Sequence, residues 1–137
     1  MKWIFLALLT SLFWGIYVVL LKIVMPKMSL SAIMLSLSFG VLIVSAISVA
    51  FSPIKTQQEA FLISVFAGML WALGIFFVLL AIEKGAEVAR LAPIYNTNTL
   101  IAFFLGIILL KEIPSGNELL KALIGAILIV IGAILVA

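Results

Sequence analysis

The chain has 137 residues, 67% of them hydrophobic and only 9% charged, too little polar surface to cover a water-soluble fold. Eight Lys and Arg against five Glu give a formal charge of +3, but the basic residues stand singly, without the runs or interleaved aromatics that track nucleic acid. The lack of His, Cys and Asp removes imidazole and thiolate metal sites, His-based triads and disulfides, so the composition points away from enzymes and cofactors and towards a multi-pass protein of the lipid bilayer, placed in the plasma membrane.

A hydrocarbon core of about 30 Å needs roughly 20 apolar residues per helix. Five such stretches are predicted, at residues 3–24, 30–51, 60–82, 88–110 and 119–137, within one domain over residues 1–137. The segments are continuously apolar and lack the period-two alternation of a β-barrel, so the expected fold is an all-α bundle of five transmembrane helices. The breaks are short and carry turn-formers or charges: Pro26 and Lys27, Pro53 and Lys55, Gly85, then Pro114 and Gly116.

The first stretch begins like a signal peptide at Lys2, but its apolar run continues to Val24 without a clean small-x-small cleavage site, and is read as a span. Trp3 beside Lys2 is an interface anchor. Thr10, Trp14 and Tyr17 share a face by their four- and three-residue spacing. A Trp deep in a span requires a partner for its indole N–H, so Trp14 is a candidate to line a substrate cavity, with core packing as the alternative.

In the second span Ser31, Ser38, Ser45 and Ser52 recur at seven-residue intervals, which suits either a polar cavity wall or small-residue packing with each hydroxyl on its own i−4 carbonyl. The spacing favours packing. Trp71 in the third span is a second cavity candidate.

The fourth span carries a polar run, Asn96, Thr97, Asn98 and Thr99. At about 100° per residue Asn96 and Asn98 point about 160° apart and cannot serve one surface. Asn98 shares a side with Ala102 and Gly106 and is assigned to interhelical hydrogen bonding. Asn96 and Thr99, on the side of Phe103, form the candidate substrate-facing pair. Pro93 leaves the carbonyl of Ala89 without a donor, so a break there would expose backbone near Asn96; the other reading is a short interfacial helix joining the third and fourth spans.

The fifth span repeats GAIL at Gly125 and Gly132, putting both glycines on one face as a helix-packing seam, between subunits or within one. Five spans place the termini on opposite sides, so two copies in opposite orientation would reproduce the plan of inverted-repeat transporters, and a lone unit should need a partner. With the N-terminus inside, Lys2, Lys55, Lys111 and Lys121 face inward and Lys22, Lys27, Lys84 and Arg90 outward, leaving the positive-inside rule nothing to decide. Dual insertion into an antiparallel homodimer is the expectation, with a paralogous membrane subunit as the alternative.

"LFWGIYVVLLK", from Leu12 to Lys22, resembles the first helix of the drug/metabolite transporter superfamily, and the stretch from Gly85 to Leu135 resembles its EamA-type second half. The matching positions are Trp14, Gly15, Lys22, Pro93, Leu110, Glu112, Gly125 and Gly132. The resemblance implies a single-repeat member moving small molecules. The chain departs from the related four-helix small multidrug resistance proteins, whose first helix carries a membrane-embedded Glu: all five Glu here sit at predicted span ends, which argues against proton/drug-cation exchange. The expected function is alternating-access transport of a small solute held by Trp14, Tyr17, Trp71, Asn96 and Thr99; the competing class is a non-transporting or lipid-carrier flippase subunit.

Overall fold

A run of Leu, Ile, Phe and Val with a single glycine, Gly15, forms the first helix, α1 (Lys2–Val24). Pro26 cannot continue an α-helical ladder, and the chain tightens into a 3-10 turn over Met25–Lys27 before Met28 becomes extended. The computed structural model describes residues 2–112 and 116–137, so Pro114, predicted to mark the last break, lies outside the described residues.

Among the described residues five segments are long and apolar enough to cross a membrane: Trp3–Lys27, Leu30–Phe51, Gln58–Glu83, Val88–Leu109 and Asn117–Val136. They reproduce the five expected spans with edges shifted by up to three residues, the largest shift being the 3-10 turn added to the first. The fold is all-α.

The contact pattern separates two units, Met1–Gly85 and Ala86–Ala137. In the first, Ser29 caps α2 (Leu30–Phe51) by accepting the Ala32 N–H at 3.3 Å, satisfying one of the helix's orphan donors. α2 stops where Ser52 turns extended ahead of Pro53. The third helix, α3 (Gln58–Glu83), has Glu59 in its first turn, where a carboxylate suits the positive end of the helix dipole, and ends at Gly85 with φ +96°, a conformation open to glycine.

Burial in this unit is concentrated at one membrane end. Val18 and Leu21 from the last turns of α1, Ile33 from the first turn of α2, and Ile75, Leu79 and Ile82 from the last turns of α3 are its buried side chains. The i, i+4, i+7 spacing on α3 is one helical stripe. Away from that end the same helices leave their side chains exposed, and a cavity opens between them.

In the second unit the fourth span is two helices, α4 (Val88–Tyr95) and α5 (Asn98–Leu109). Neither alone reaches across about 30 Å at 1.5 Å per residue; together they do. The helix runs through Pro93 and ends at Tyr95, so the discontinuity lies beyond the proline. The last helix, α6 (Asn117–Val136), packs against both, burying Ala126 and Ala133. Arg90, in the first turn of α4, reaches the other end of that packing: its Nε donates to the Val136 carbonyl at 2.8 Å and a terminal guanidinium nitrogen donates to the backbone oxygen of Ala137. A helix's last carbonyls have no partner within the helix, and a cation there also suits the dipole.

Candidate functional site

The cavity in the first unit occupies about 690 Å³, within the range of small-molecule sites. α1 contributes Phe13, Trp14 and Tyr17, α2 contributes residues from Ser36 to Ser45 around Gly40, and α3 contributes Trp71. Trp14, Gly40 and Trp71 fall at the centre of the spans Trp3–Lys27, Leu30–Phe51 and Gln58–Glu83, so the cavity lies at the middle of these apolar spans.

Each wall follows from local sequence. The three-residue step from Trp14 to Tyr17 stacks the two rings on one side of α1 in an edge-to-face pair, centroids 6.4 Å apart and planes at 60°. Both Trp14 and Trp71 remain about two-fifths exposed, at 40% and 41%, so their indoles line space rather than fill a core. Gly40 deepens the α2 wall: a Cβ built there would meet no atom within 4 Å.

Two serines of α2 line the cavity. Ser36 Oγ donates to the Ile33 carbonyl at 2.9 Å and Ser45 Oγ to the Val41 carbonyl at 2.8 Å, so both hydroxyl hydrogens are held by the backbone of their own helix. Of the seven-residue serine series, Ser45 lines the cavity; Ser38 returns its hydroxyl to Met34 at 3.0 Å and does not line it. Thr10, on the face of Trp14, bonds the Leu6 carbonyl at 3.1 Å and also lies outside the lining.

The structure thus brings Trp14, Tyr17 and Trp71 around one cavity. Ser36, Gly40, Val41 and Val44 were missed. The i, i+4, i+8 recurrence of Ser36, Gly40 and Val44 was a signal, hidden because α2 is apolar on nearly every side and no face stands out. Among the described residues no Lys, Arg or Glu lines the cavity, and no three His, Cys, Asp or Glu side chains come together as a metal site.

Asn96 and Thr99 lie in the second unit at the α4–α5 junction. There the ladder tightens to i−3 bonds, from Thr97 N–H to Ile94, Thr99 N–H to Asn96 and Leu100 N–H to Thr97. In such 3-10 geometry side chains three apart eclipse, which places Asn96 and Thr99 on the same side. Thr97 and Thr99 send their hydroxyls to the Ile94 and Asn96 carbonyls at 2.8 and 2.9 Å. The two hydroxyls of the polar run therefore bond the backbone at the junction, and the Asn96 and Asn98 side chains are exposed.

Gly106 is half-buried near the end of α5, where Lys111 adopts φ +57° and the Glu112 N–H closes on the Gly106 carbonyl at 3.2 Å. A Cβ at Gly106 would sit 3.9 Å from Glu112 Oε2. At Gly125 and Gly132 an added Cβ meets nothing within 4 Å, whereas the adjoining Ala126 and Ala133 are buried. Within the chain the contact face of α6 is thus carried by the alanines of the repeat, and the glycine face is open.

Five apolar spans and a solute-sized cavity at their mid-depth describe a multi-pass integral membrane protein of the transporter type. The EamA-like transporter family model matches residues 1–137, and the chain belongs to that family. No curated protein and no solved structure matches it significantly.

Proposed function

We propose that the chain, acting as one domain, carries a small solute across the plasma membrane by alternating access, with the α1–α2–α3 cavity as the binding site. The observation that carries this reading is the mid-span cavity that gathers Trp14, Tyr17 and Trp71, in a member of a transporter family. Asn96 and Thr99, eclipsed at the tightened junction of the fourth span, supply polar contacts along the solute's path. Asn98 serves a helix contact.

The working unit in this proposal is a dimer, antiparallel where both copies are the same chain. Each span buries at most 17% of its most apolar window inside the chain, which leaves wide helix faces for lipid or a partner. The open glycine face of α6 at Gly125 and Gly132 supports a seam there, because small residues let two backbones approach. The even split of basic residues between the two sides supports dual insertion.

Two experiments test the proposal. Purified protein in liposomes should move at least one member of a panel of amines, amino acids, sugars and neutral aromatics, and Trp71→Ala should lower that flux about tenfold, the loss expected from removing roughly 1.4 kcal/mol of contact. Flux indifferent to Trp71→Ala would dismiss the cavity as the site. Single cysteines at Lys27 and Lys55, probed in cells with a membrane-impermeant thiol reagent, should each label in about half the molecules, the fraction that random insertion gives when the basic residues are balanced. Full labelling of one and none of the other would replace the homodimer by pairing with a different subunit.

A further inference from the structure

The α2 wall of the cavity offers hydrogen-bond acceptors without a charge, and that favours one kind of ligand. The opposing rings offer flat apolar faces, with one N–H or O–H each on Trp14, Tyr17 and Trp71, and among the described residues no lining side chain carries a charge. A serine hydroxyl has one hydrogen to give and two lone pairs to receive with. At Ser36 and Ser45 the hydrogen is already given, to Ile33 and Val41, so on the cavity side these groups only accept. Gly40, between them, leaves the α2 wall low enough for a planar group to lie against it.

Each class of solute can be set against that wall. An anion finds no Lys or Arg and only acceptor oxygens on α2. A cation finds ring faces, but at the middle of these apolar spans ring attraction alone falls short of the hydration it gives up when no carboxylate stands opposite. A neutral molecule loses little hydration, stacks on the rings, and gains further if it donates a hydrogen bond to a serine oxygen. The geometry points to an uncharged, planar aromatic solute with a hydrogen-bond donor as the ligand of this cavity. This inference rests on the reading of the cavity as the solute site.

Four probes of one ring size separate the possibilities: naphthol, methoxynaphthalene, N-methylquinolinium and naphthalenesulfonate. Binding of each is measured to the full chain in lipid nanodiscs, against protein-free discs that report partition into lipid. Naphthol should bind most tightly, about three- to tenfold better than methoxynaphthalene, the net value of one hydrogen bond. The double variant Ser36→Ala, Ser45→Ala should erase that preference. Gly40→Leu, which builds into open space, should weaken both neutral probes about tenfold or more through the contacts its bulk displaces. Trp71→Leu, which keeps an apolar side chain but removes the ring, should do so in part, and guards against a folding defect in Gly40→Leu.

If quinolinium or sulfonate binds best and Gly40→Leu blocks it, the cavity stands as the solute site and the ligand class inferred here is wrong. If no probe exceeds the protein-free discs, or if neither Gly40→Leu nor Trp71→Leu changes binding, the ligand class and the site assignment both fall.

Discussion

At the residue scale, Arg90 shows how a chain with few charges uses one of them. Its guanidinium is exposed, yet from the first turn of α4 it donates to the backbone oxygens of Val136, the last residue of α6, and of Ala137 beyond it, tying together two helix ends that neither sequence signals. A cation at a helix C-terminus contributes roughly 0.3–1 kcal/mol at an exposed site. Arg90→Met should therefore lower thermal stability in detergent by about that much, and Arg90→Lys should recover only part of it, because an ammonium keeps the charge but not the planar fork. Equal melting of Arg90→Met and the parent would show the contact to be energetically silent. The sequence shows Arg90 near the start of the fourth span; its partner was illegible, since the residues lie on different helices and nothing in their spacing links them.

At the element scale, the packing of the first unit hangs on few side chains. Leu79 is fully buried at 0% exposure. Leu79→Ala in a water-soluble core costs about 2–5 kcal/mol, but lipid is as apolar as leucine, so the transfer part of that loss falls away and the packing part remains. A destabilisation near the lower end of that range, read by denaturant unfolding in mixed micelles, is expected; a value near zero would mean the stripe Ile75, Leu79, Ile82 is not a working contact. In the fourth span, Pro93→Ala returns a donor to the helix and should raise stability by up to about 3 kcal/mol. The junction at Asn96–Thr97 should persist in that variant, because the tightened turn is three residues beyond and is held by the Thr97 and Thr99 hydroxyls. Hydrogen exchange at Asn98 and Thr99 indistinguishable from the parent would bear this out, and marked protection would trace the junction to the proline. The edges of the spans were legible because Pro26, Pro53 and Gly85 punctuate an otherwise apolar text. The discontinuity was sensed but attached to Pro93, since a missing donor is visible in sequence and a hydroxyl choosing its own backbone is not. Trp14 and Tyr17 were legible as a pair by spacing, whereas the α2 wall was not, because a helix apolar on nearly every side gives no clue to which side faces a cavity.

At the scale of the whole molecule, the α6 glycines separate folding from assembly. Since a Cβ at Gly125 or Gly132 meets no neighbour within 4 Å, Gly125→Leu with Gly132→Leu should leave the monomer's melting nearly unchanged while breaking a dimer built on that face. Cross-linking and size-exclusion in mild detergent read the result. A dimer that survives both leucines has its seam elsewhere.

The hydroxyls of the cavity carry one more consequence. A continuous thread of water leaks protons when the groups beside it can accept a proton on one side and release one on the other. Ser36 and Ser45 keep their hydrogens on the Ile33 and Val41 carbonyls, and the opposing wall is aromatic rings. Among the described residues no carboxylate lines the cavity either, so a solute held there, as proposed, would meet no lining acid with which to exchange a proton.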